Sequence, residues 1–162
     1  MNRGTLFLKT AVILLGIPVL ALCIFLLPKI AIEALGHAKE GAELGYMVLG
    51  ILGVMYVSAI PFYYVLYQAF KLLHYIDKNE AFSELSVRSL RSIKISAIII
   101  SGLYLVILPF VFMIAEWDDA PGLVLIGMVI VGASMVVAVF AAVLKRLLEQ
   151  AIQIKSENDL TV

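Results

Sequence analysis

Four long apolar segments, at about residues 10–28, 45–70, 95–115 and 121–144, constrain this chain more than any other feature. Each is near or above the roughly 20 residues that an α-helix needs to cross the hydrocarbon of a bilayer. In lipid the backbone has no water to bond, so runs of this length are expected to satisfy their own N–H and C=O groups as helices. The chain is therefore expected to be all-α: a polytopic membrane protein of four transmembrane helices, arranged as two hairpins in a single domain over 1–162. Composition agrees, since 63% of the residues are hydrophobic and 15% charged, against roughly 45–50% apolar residues in a soluble domain.

Net charge is zero, with twelve Lys plus Arg against twelve Asp plus Glu, so nothing global suggests direct binding of nucleic acid. The informative feature is segregation. Arg3, Lys9, Lys71, Lys78, Arg88, Arg91, Lys94, Lys145, Arg146 and Lys155 fall on one side of the four segments, and only Lys29 and Lys39 on the other. Basic residues hold the segments that carry them in the cytoplasm. Both termini, the 71–94 loop and the 145–162 tail are accordingly expected inside. The acids divide six and six, so the inner side carries +4 and the outer side −4.

The single cysteine, Cys23, permits no intramolecular disulfide. Leu20-Ala21-Leu22-Cys23 faintly resembles a lipoprotein processing site, but Leu22 is too large for one and the apolar run continues to Leu27. Cys23 reads as a buried thiol. The first segment, long and lacking a small-x-small cleavage pattern, reads as a retained helix rather than a signal peptide.

An ionisable group deep in a span would point to transport or catalysis. None is legible: Lys9 sits at the inner edge, where it can snorkel, and the in-span polar residues are Ser58, Gln68, Ser101, Ser134 and tyrosines. No His, Cys or carboxylate pair has metal-binding spacing, and no nucleophile has a base beside it. No enzyme activity, cofactor or metal is expected, and a transporter would need a polar midplane site.

Three features are candidates for contact. Glu116, Asp118 and Asp119, in the short turn around Trp117 before Pro121, cap helix ends and form an acidic outer patch that would concentrate cationic peptides. Ser134, Ala138 and Ala142 repeat every four residues on the fourth span, with Gly50 and Gly53 on the second; small residues there let helices approach closely, within one chain or between two copies of a homodimer. Pro61 and Pro109 interrupt the second and third spans and can kink them.

The third feature is the 71–94 loop. Asp77 to Glu80 has turn chemistry, Ser83 is a natural N-cap with Glu84 in the first turn, and the helix it starts is expected to run on into the third span. Arg88, Arg91 and Lys94 then form a slanting basic stripe, with Leu90 and Ile93 on the other side. Such a stripe suits anionic headgroups or a partner protein.

In this segment the chain resembles the bacterial domain of unknown function 2975 family, the YoaS-like membrane proteins. The resemblance covers essentially the whole chain. It rests on Tyr67-Gln68-Ala69-Phe70-Lys71-Leu72-Leu73, Ile76-Asp77-Lys78-Asn79 to Phe82-Ser83, Ser86-Val87 to Leu90 and Ile93-Lys94. Asp118-Asp119-Ala120-Pro121-Gly122 and the tail Lys155-Ser156-Glu157-Asn158-Asp159-Leu160 complete it. It implies a multi-pass protein of the bacterial cytoplasmic membrane and no defined activity. Members are often encoded beside a small helix-turn-helix regulator, which implies a regulatory or sensory module partnered with such a protein. Immunity against cationic peptides and a role as a transporter subunit are the alternatives.

Overall fold

The computed structural model describes residues 3–39, 41, 43–117, 119 and 121–160, and these are almost entirely helical, with no strand among them. A first rod joins α1 (Arg3–Ala21), a π-helical turn (Leu22–Leu26) and α2 (Leu27–Lys39); α3 (Glu43–Asp77), α4 (Glu84–Trp117) and α5 (Gly122–Leu160) follow. Four stretches, Arg3–Gly36, Gly45–Asp77, Glu84–Glu116 and Gly122–Leu160, are long and apolar enough to cross a membrane. At 1.5 Å per residue they run to about 50–60 Å, well past the ~30 Å of hydrocarbon, so each continues beyond the bilayer as helix. Phe7, Ile60, Val106 and Phe140, one from each span, are all more than 60% exposed. Apolar exposure of this extent on every span suits lipid as the solvent.

The helices pack in sequence rather than as a closed bundle. The first rod lies on α3, α3 on α4, and α4 on α5, while α5 has no comparable contact with the first rod or α3. At the α4–α5 contact, a Cβ added to Gly127 would come within 2.8 Å of Leu108 Cδ2. Glycine there lets the two helices of the hairpin meet closely.

From Tyr56 to Phe70 the first rod and α3 meet in an antiparallel register that steps by seven residues on both sides. Tyr56 donates its hydroxyl proton to the Cys23 carbonyl at 2.8 Å, and Tyr63 donates to the Gly16 carbonyl at 2.8 Å. Seven residues on, the Lys9 ammonium lies 5.4 Å from the centre of the Phe70 ring. A further seven on, Asp77 pairs with Lys9 at 2.7 Å and accepts a hydrogen bond from Thr5. Lys9 therefore does not snorkel into water. Its side chain is 6% exposed and that of Asp77 11%, because the last residue of α3 brings a counter-charge to it.

The π turn lies just before Pro28. In a regular α-helix the Ile24 carbonyl would bond to the N–H of residue 28, which proline lacks. The turn widens instead, and the Leu27 N–H reaches the Leu22 carbonyl. In that register the Cys23 carbonyl faces Pro28 and has no backbone donor. The Tyr56 hydroxyl supplies one. The rod thus continues through Pro28 to Lys39 rather than ending there. Pro61 and Pro109 likewise sit inside unbroken helices.

Candidate functional site

The most thoroughly buried part of the molecule lies at the end that carries the basic residues. Past Lys71, α3 continues to Asp77 and closes in a Schellman turn: the Glu80 N–H bonds to the Tyr75 carbonyl at 2.8 Å and the Asn79 N–H to the Ile76 carbonyl at 3.2 Å. Asn79 takes φ 59°, the left-handed conformation this cap requires and asparagine tolerates. The Ser83 carbonyl then accepts from the Val87 N–H at 3.3 Å, which makes Ser83 the N-cap of α4. Its hydroxyl points backward, donating to the Glu80 carbonyl at 2.6 Å, and the Ser86 hydroxyl donates to the same oxygen at 3.3 Å. Two serines thus fasten the start of α4 to the end of α3.

Behind this turn, Ser86, Val87, Ser89, Leu90, Ile93, Ser96 and Ala97 are buried on one face of α4, as are Leu73 and Tyr75 of α3. Small hydroxyls let the helices approach closely, and the apolar residues fill the gap between them. The other face carries Arg88 and Arg91, both exposed, and Lys94, partly exposed. Among the described residues these three form no ion pair; the two pairs present are Lys9–Asp77 and Lys145–Glu149. The Lys9–Asp77 pair fastens α1 to the same platform. The 145–160 stretch continues α5 as helix, with Lys145 and Glu149 3.6 Å apart on one side.

On the opposite side Glu116 and Asp119 are exposed, and Asp119 has φ 51° in the turn between α4 and α5. Asp118, the third member of the acidic patch, lies outside the described residues. The Pro121 carbonyl accepts from the Leu125 N–H at 3.4 Å and starts α5.

The small-residue positions divide. Ala138 is buried and Ala142 partly buried. The Ser134 hydroxyl donates back to the Ile130 carbonyl at 2.8 Å. Gly50 and Gly53 are exposed, and a Cβ at either would meet nothing within 4 Å. Within this chain the close approaches are made at Gly16, against Leu66 and Tyr63, and at Gly127, against Leu108. Small residues alone did not separate packed from open glycines, because helix-face spacing carries no information on which face meets a neighbour.

Between the helices lies a half-open cavity of about 470 Å³ that sequence reading missed. It is lined from every span: Pro18, Val19 and Cys23 from the first rod, Met55, Ser58 and Phe62 from α3, Ala97 and Tyr104 from α4, and Ile130 and Ser134 from α5. Tyr104 is about midway between Lys94 and Glu116, and Ser134 midway between Gly122 and Lys145, so the cavity sits near mid-membrane. Among the described residues no carboxylate or cation lines it. Ser58 donates to the Met55 carbonyl at 2.8 Å and lies 3.0 Å from the Tyr104 oxygen. Among the described residues no three His, Cys, Asp or Glu side chains gather in a metal-holding group.

Comparison with known proteins fits this architecture. The profile of the family described as "Protein of unknown function (DUF2975)" matches residues 33–162. The "Uncharacterized membrane protein YoaS" of Bacillus subtilis (strain 168) is 59% identical over 163 residues, covering 100% of both chains. No solved structure matches. With that profile over most of its length and that identity over all of it, this membrane protein belongs to the DUF2975 family.

Proposed function

We propose that the chain is a non-enzymatic regulatory or sensory module of the bacterial plasma membrane. In this reading both termini and the 78–83 turn face the cytoplasm, and the helix extensions there bind a small helix-turn-helix regulator. The observation that carries it is the exposed stripe of Arg88, Arg91 and Lys94, unpaired among the described residues, on a helix whose opposite face is locked against α3. A rigid support removes most of the ordering cost of binding. A basic stripe then sets register and speeds encounter with a partner bearing carboxylates. The chain itself is not expected to touch DNA; it would hold the regulator at the membrane and release it when the packing of α3 on α4 changes.

Co-purification in mild detergent tests this. The wild-type chain is expected to bring down a helix-turn-helix protein, and the variant with Arg88→Ala, Arg91→Ala and Lys94→Ala to lose it while eluting normally. No association by either form, with unchanged transcription of the regulator's targets, would sink the proposal.

A second reading, protection of the membrane against cationic peptides, draws on the exposed Glu116 and Asp119. It predicts that deletion raises sensitivity to such peptides. Neutral replacements of Glu116, Asp118 and Asp119 that left protection intact would remove the electrostatic version.

A further inference from the structure

The cavity between the spans has a chemistry of its own, independent of the basic stripe. We propose that it binds an uncharged lipophilic alcohol, a molecule with an apolar body and one hydroxyl donor, whose hydroxyl bonds to Tyr104.

Size comes first. At about 470 Å³ the space is roughly three times the ~150 Å³ that takes up a benzene-sized guest, and it falls in the ~300–1,000 Å³ range of small-molecule sites. The space is half open, so a guest can enter from the lipid side, and left empty it would forfeit contacts along its walls. Its walls are mostly hydrocarbon, with Val19, Leu22, Phe62, Val65, Ile100 and Val137 among them. The guest's body is therefore apolar, and the absence of any charged side chain from the lining leaves a charged guest with no counter-ion.

Hydrogen-bond direction fixes the rest. A serine hydroxyl has one proton, and that of Ser58 goes to the Met55 carbonyl. The 3.0 Å contact between Ser58 and Tyr104 then requires Tyr104 to donate, which spends its proton. The Ser134 proton goes to the Ile130 carbonyl. Every hydroxyl of the lining has thus committed its donor within the chain, and lone pairs are what it offers a guest. Ser58 is only 4% exposed while Tyr104 is partly exposed, so of this hydrogen-bonded pair the tyrosine is the one open to a guest. An ether or ester would bring a second acceptor and meet no hydroxyl donor, whereas an alcohol supplies the missing proton. This selectivity is the difference between a site and a gap filled by bulk acyl chains.

Photolabelling of the full chain in phosphatidylcholine nanodiscs tests the assignment. The probe is a sixteen-carbon alcohol with a mid-chain diazirine, compared with its methyl ether, which has the same body and no donor. The alcohol is expected to label Met55 or Tyr104 about five-fold more than the ether, the ratio expected for one neutral hydrogen bond. Tyr104→Phe should lower alcohol labelling to the ether's level and leave the ether unchanged. Filling the space with Ala59→Phe, or with Ala133→Leu should the first not fold, should abolish labelling by the alcohol at these residues in protein that elutes as wild type. Equal labelling by alcohol and ether in the wild-type chain would overturn the proposal. So would labelling confined to lipid-facing residues such as Val136 and Val139, since bulk lipid would then be the occupant. Neither result bears on regulator binding at the stripe.

Discussion

Lys9 and Asp77 are the residues whose chemistry most depends on being together. Each is nearly buried, at 6% and 11% side-chain exposure, and removing one partner of such a pair leaves a charge with its desolvation cost uncompensated. Lys9→Met or Asp77→Leu alone is expected to cost about 3–5 kcal/mol, and the double variant far less than the sum, because two apolar groups leave no buried charge without its counter-charge. Denaturant unfolding in detergent micelles would measure the cycle. Additive losses would show that the pair is not coupled. Tyr56 makes a second residue-scale prediction. Tyr56→Phe should cost about 0.5–1.5 kcal/mol by leaving the Cys23 carbonyl without a donor. In a Pro28→Ala background, where residue 28 again has an N–H, the same change should cost less. An equal cost in both backgrounds would mean that the hydroxyl does not compensate for the proline.

At the level of elements, glycine separates packing from open surface. Gly127→Ala should destabilise the α4–α5 hairpin, since its Cβ would sit 2.8 Å from Leu108 Cδ2; Leu108 can move, which limits the loss to about 1 kcal/mol or somewhat more. Gly50→Ala and Gly53→Ala meet nothing, and each should raise the stability of the monomer by up to about 1 kcal/mol through helix propensity. A loss at Gly50 or Gly53 that tracked a change in oligomeric state would instead place a second copy on that face. The same elements show what sequence can reveal. Four spans follow from apolar run length, and the break between α3 and α4 follows from Asn79 and Ser83, because capping is local chemistry. Long-range pairing does not: nothing near Lys9 points to Asp77, 68 positions away. A signal was present in the seven-residue repeat of Tyr56, Tyr63, Phe70 and Asp77, which is legible only once α1 is known to be its partner. The π turn had a signal too, a proline inside an apolar rod that continues as far as buried Ala34. The mid-membrane cavity had none, since it arises from how α5 sits relative to α1 and α3.

Across the whole molecule, two ties and a long helix extension meet at one end. Lys9–Asp77 fastens α1 to α3, the Glu80 carbonyl fastens α3 to α4 through Ser83 and Ser86, and α5 runs beyond the basic stripe as continuous helix. The proposed regulatory reading requires that a change among the spans be felt at Arg88, Arg91 and Lys94. The most direct measurement is cross-linking in native membranes with a photoreactive benzophenone side chain in place of Arg91. A discrete adduct with a small helix-turn-helix protein, absent when the photoreactive group replaces lipid-facing Val139 instead, is the predicted result. Adducts with lipid alone would contradict it and leave the stripe as a headgroup anchor.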